Sequence, residues 1–167
     1  VRIALQADEY DARLAAAKKI SDDSFVSLDH PEPAVRHAAV LDITDQDVLA
    51  RVATQDEHEA VRAAATQRLE QDAGLREKIA LNDDSPRVRR EAIKGITEQD
   101  VLARVGMNDN NERIRLAVTE KLDPNSAALR KVAFSATSAQ VQKAAFRKIV
   151  SARAMLGDIA GQQYWSG

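Results

Sequence analysis

The stretch ITDQDVLARV occupies residues 43–52, and ITEQDVLARV occupies residues 96–105. One letter in ten differs, Asp45 against Glu98, and the offset is 53 residues. The match extends in both directions. Residues 33–69 align without a gap on residues 86–122, with 19 of 37 positions identical. A shorter period lies inside this one. Val or Ile (Ala12 in the first copy) followed by Arg, then small residues, then a closing Ile or Leu, recurs around Arg13, Arg36, Arg62, Arg89 and Arg115, with Gln142 in the last copy. The steps are 23, 26, 27, 26 and 27 residues, so the 53-residue offset spans two units in a chain of about six.

One unit reads as two short helices. Thr44-Asp45 precede the apolar run Val48, Leu49, Val52, which marks a helix N-cap. The polar stretch from Gln55 to His58 breaks that run. Val61, Ala65 and Leu69 then fall at i, i+4 and i+8, one face of a second helix. Such a pair cannot bury its apolar face alone, but it can when stacked on like neighbours. The expectation is an all-α solenoid of two-helix repeats of 26–27 residues over residues 1–149. Residues 150–167 are expected to form a capping helix with Ala154, Met155 and Ile159 inward and a tail carrying Tyr164 and Trp165.

Composition agrees with an α-helical stack and excludes several classes. Aromatic residues are only 4% of 167, so the core is built from small aliphatics that suit close helix packing. No cysteine is present, which removes disulfides, thiolate nucleophiles and Cys-ligated metals and fits a cytoplasmic location. No apolar run reaches the length of a membrane span, and no signal peptide is visible. The chain begins at Val1 rather than Met, which fits a trimmed chain or a fragment.

The regular arginine lies on the apolar side of its helix. With Arg62 at 0°, Ala65 is at −60° and Leu69 at −20° at 100° per residue. A partly buried Arg needs an acceptor, and a turn carboxylate stands six residues earlier: Asp56 before Arg62, Asp83 before Arg89, Asp109 before Arg115. Turn carboxylates stacked beside these arginines would form a ladder between units. This pattern of turn Asp, then Val or Ile, then Arg resembles the HEAT repeat, over roughly residues 3–149. At 26–27 residues the units are similar to compact bacterial HEAT-like or leucine-rich-repeat-variant units, whereas HEAT repeats usually run to about 40–47 residues. The resemblance implies a right-handed α–α superhelix, second helices on the concave side, such a ladder, and a binding role. The ladder is expected to stop at the last unit, which has Ser135-Ala136 and Gln142 in place of Asp and Arg.

The outward face of the second helices is the candidate partner surface. It carries His37 and Leu41, then Arg87, Arg90 and Lys94, then Arg113 and Leu116, then Lys143 and Arg147, with Ala34, Ala60 and Ala63 also assigned outward. It turns basic along the chain. Residues 1–60 hold 6 basic and 13 acidic side chains, whereas residues 124–167 hold 6 and 1. An acidic protein or peptide on the concave face is the expected partner, with weak head-to-tail self-association as a consequence of the charge gradient. Arg51, Lys78, Arg104 and Lys131 on the first helices are expected to be solubilising surface.

No catalytic constellation is visible. The histidines His30, His37 and His58 have no metal-ligand spacing, there is no Gly-rich phosphate loop, and no Ser sits in a nucleophile elbow. No catalytic residue, cofactor or metal is expected. The alternative is a basic nucleic-acid groove in the C-terminal half, as in HEAT-like DNA glycosylases. A net charge of −2 counts against it.

Overall fold

The structure, a computed structural model, describes residues 26–70 and 72–164, with the side chains of residues 28–70 and 72–154. The repeat expected around Arg13 and the side chains of Met155, Ile159, Tyr164 and Trp165 lie outside these. Among the described residues there are nine α-helices, one 3₁₀ turn at Val26–Asp29, and no strand. Contacts divide the chain into two compact units, Val1–Gly95 and Ile96–Gly167.

The first unit contains α1 (Pro33–Val40), α2 (Gln46–Gln55), α3 (Glu59–Arg68), α4 (Ala73–Asn82) and α5 (Pro86–Lys94). α2 packs on α3 and α4 on α5, the two-helix pairs read from the sequence. The second helices also pack on one another in succession, α1 on α3 and α3 on α5. Leu49, Val61, Leu69, Ile79, Val88 and Ala92 are buried between them. Buried alanines at 38, 39, 53, 64 and 65 let the backbones approach closely.

The second unit contains α6 (Gln99–Asn108), α7 (Glu112–Lys121), α8 (Ala127–Ser135) and α9 (Ala139–Tyr164). α6 packs on α7 and α8 on α9, while α6 meets α8 and α7 meets α9. Leu102, Val105, Val118, Leu122, Leu129, Val132 and Val141 fill its core.

The repeated stretch has a defined local role. Asp45 caps α2, its Oδ1 accepting from the backbone N–H of Asp47 (2.9 Å) and Val48 (3.1 Å). At the one position that differs, Glu98 makes no such cap on α6, and its Oε2 accepts from Thr97 N–H instead. One added methylene moves the carboxylate out of capping range. The glutamine is used identically twice. Gln46 Oε1 accepts from Glu70 N–H and Gln99 Oε1 from Asp123 N–H, each at 2.8 Å. Each Gln thereby pins the start of a first helix to the loop that ends the following second helix.

Two sequence expectations need correction. The boundary at residue 150 falls inside a single helix, since α9 runs unbroken from Ala139 to Tyr164 despite Gly157 and Gly161. Ala154, expected inward, is exposed.

Candidate functional site

Two arginine–carboxylate rungs stand in the first unit, with different partners from those expected. Arg36 is 5% exposed. Its Nε and Nη2 donate to Asp56 Oδ2 (2.8 Å) and Oδ1 (3.0 Å), and its Nη1 donates to the carbonyls of His30 (2.8 Å) and Pro31 (3.2 Å). Arg62 repeats the arrangement on Asp83 at 2.9 and 3.0 Å, with Nη1 on the carbonyls of Asp56 and Glu57. Arg36 and Arg62 therefore each take a backbone carbonyl of the turn six residues earlier. The carboxylate each holds lies 20 or 21 residues later, in the turn of the next helix pair. This also brings in Arg36, the unit whose Asp position is filled by His30: only a carbonyl is needed there, and any residue supplies one.

The turn aspartates serve two ends at once. Asp56 Oδ1 also accepts from His58 N–H and Asp83 Oδ1 from Ser85 N–H, both at 2.8 Å, which closes the turn between helices. Asp109 does the same for Asn111 N–H at 2.7 Å. The bidentate Asp56 fork pushes the Arg36 guanidinium above its ordinary range, and the Asp83 fork does so for Arg62, against the opposing effect of burial. Arg89 is buried and its Nη1 donates to the carbonyls of Asp83 (2.8 Å) and Asp84 (3.1 Å). In the second unit Arg115 Nη1 donates to Asp109 O at 2.5 Å, but its buried Nε has no hydrogen-bond partner. The residue 21 positions after Arg115 is Ala136, which has no carboxylate. In the last copy Gln142 Nε2 donates to Ala136 O at 2.8 Å, keeping the carbonyl half of the rung. A parallel column of side chains repeats at 26 residues: Ser85 Oγ donates to Glu59, and Ser138 Oγ donates to Glu112 at 2.6 Å.

The candidate partner-face residues fall in both units. In the first, Arg87, Arg90 and Lys94 are exposed on α5, and Lys94 pairs with Glu91 at 2.6 Å. His37 and Leu41 on α1 are half-buried. Ala34, Ala60 and Ala63, assigned outward by their helical angle, are buried; Ala63 is 3% exposed. α3 is flanked by α1, α2 and α5, and Ala60, Val61, Ala63, Ala64, Ala65 and Thr66 on it are all buried. In the second unit Arg113, Lys143 and Arg147 are exposed and Leu116 is half-buried. The first-helix cations Arg51, Lys78, Arg104 and Lys131 are all exposed.

The sequence reading missed an aromatic pair. Phe134 on α8 and Phe146 on α9 meet edge to face, 5.0 Å between centroids and 87° between planes, and both are exposed. The signal was present: two of the three phenylalanines of the chain stand within one helix pair, each three residues after a lysine. An open cleft of about 570 Å³ in the first unit is lined by Leu28, His30, Arg36, Arg51 and Glu57, beside the first rung of the ladder. Among the described residues no group of three His, Asp or Glu side chains is placed to hold a metal ion, and no helix is long and apolar enough to cross a membrane. No family model, no curated protein and no solved structure matches the chain.

Proposed function

We propose that the chain is a non-enzymatic, HEAT-like repeat scaffold that holds another protein or peptide on its second helices. In this reading the helix pairs are units of a right-handed α–α superhelix of about six repeats, acting in the cytoplasm. The observation that carries it is the division of labour on α5. Arg89 is buried with its Nη1 on two turn carbonyls, while Arg87, Arg90 and Lys94 fall at i, i+3 and i+7 and face solvent. A stripe of three cations of this kind favours an acidic partner by complementarity.

The test is affinity capture with the tagged full chain, beside the variant Arg87→Glu/Arg90→Glu/Lys94→Glu, from the cell that makes it. A protein retained by the wild-type chain, identified and rebound in purified form, is expected to lose about tenfold or more in affinity to the variant. A purified partner that binds both chains equally refutes the assigned face. Duplex DNA bound at low salt more tightly than any protein would move the reading to nucleic acid.

A further inference from the structure

We propose that Phe134, Phe146 and Val150 form a docking site for an acidic, amphipathic helix of another protein. Phe134 is 71% exposed, Phe146 39% and Val150 63%. Three large apolar side chains at this exposure, from one pair of packed helices, form a patch that water covers at a free-energy cost.

The repeat shows what kind of object covers such a patch. Phe146 stands four residues after Gln142, in register with Val40, Thr66, Ile93 and Thr119, which stand four residues after their arginines. All four of those are buried, at 0%, 0%, 7% and 0% exposure. The position is built to be covered by packed helix, and in α9 it carries the largest of the five side chains, which the described residues leave 39% exposed. A helix laid along the patch with apolar residues at i, i+4 and i+7 would cover it.

Charge selects the partner. Arg130 and Lys131 precede Phe134 by four and three residues, and Lys143 precedes Phe146 by three, so each cation shares a helix face with its ring. All three are exposed. No Asp or Glu occurs between residues 124 and 157 to neutralise them. An apolar centre with cations beside both rings fits a helix with Leu or Phe on one face and Glu or Asp beside it. Single-stranded nucleic acid fits less well: successive bases stack on near-parallel ring faces, and these two rings stand at 87° with one face already covered. The inference rests on the binding-module reading above and names the partner's chemistry at one place.

The probe is a fluorescein-labelled peptide of about 18 residues, Glu-rich, with Leu and Phe at i, i+4 and i+7, titrated into the full chain by fluorescence anisotropy. Its companions are a Glu/Ser peptide without apolar residues and an oligothymidylate of about 20 nucleotides. Saturable binding is expected, weakened about tenfold by Phe134→Ser/Phe146→Ser, with a comparable loss for Lys131→Glu/Lys143→Glu. Phe134→Ser alone, at the most exposed ring, guards against a folding defect, which helical circular dichroism also reports.

Any of four results overturns the proposal. These are equal binding of the Glu/Ser peptide, unchanged binding by the Phe variants, tighter binding of the oligonucleotide, and no peptide binding up to about 1 mM. A dimer that the Phe variants dissolve would mean a second copy occupies the patch, and it overturns the proposal too. A captured partner that is lost by the α5 triple variant and kept by the Phe variants sinks this site and leaves the scaffold reading standing.

Discussion

Ala136→Asp should complete a missing rung of the ladder and stabilise the protein. Ala136 is the C-cap of α8, with φ −65° and ψ 140°. The C-caps Asp56 (−63°, 136°), Asp83 (−66°, 137°) and Asp109 (−57°, 137°) hold the same conformation. An aspartate at 136 therefore needs no backbone change to place Oδ1 on Ser138 N–H. Its carboxylate would reach Arg115, 21 residues earlier, as Asp83 reaches Arg62. Arg115 already has Nη1 anchored on Asp109 O, and its buried Nε has no partner. Charge-assisted hydrogen bonds contribute about 1.5–3 kcal/mol each, and desolvating the new carboxylate removes much of that. The net expectation is about 1–2 kcal/mol, or a rise of about 3–6 °C in Tm for a chain of this length. The assay is reversible chemical denaturation of wild type, Ala136→Asp, Arg115→Gln and the double variant. Coupling of about 1 kcal/mol or more between the sites is expected in that cycle. A neutral or destabilising Ala136→Asp, or the same change when Arg115 is absent, would refute the claim that the rung is local and transferable.

Two further predictions follow the same geometry. Arg62→Ala should lower stability by about 2–4 kcal/mol by chemical denaturation, because it leaves the Asp83 carboxylate, 9% exposed, without its fork; a loss below ~0.5 kcal/mol would mean the arginine is free for ligands. Glu98→Asp should restore to α6 the cap that Asp45 gives α2, adding about 0.5–1 kcal/mol; the reciprocal Asp45→Glu should remove a similar amount, and no difference between the two by thermal melts would defeat the capping account.

The helix pairs were legible because their signals are local. The 3.6-residue spacing of Val61, Ala65 and Leu69, and the polar turn from Gln55 to His58, need no knowledge of neighbours. The burial of the regular arginines was legible too, from their angle to those apolar residues. The acceptor of each arginine was misassigned, since spacing along the chain points six residues back. Asp56 and Arg62 do meet, but through Asp56's carbonyl, while its side chain turns toward Arg36. The outward assignment of Ala60 and Ala63 on α3 failed for a related reason. A helical wheel divides a helix into two faces, whereas α3 meets three other helices.

What the sequence alone determined is the unit: its length, its two helices, the cap at Thr44-Asp45, and the small aliphatic core, all consequences of residue type and period. Tertiary structure decided which carboxylate each arginine takes and which surfaces stay open. A bidentate fork needs an acceptor at a fixed distance and plane, and only the packing of one turn beside the next supplies it. The same holds for Phe134 and Phe146. The period marks position 146 as a site to be covered, and only packing reveals that among the described residues Phe146 stays 39% exposed.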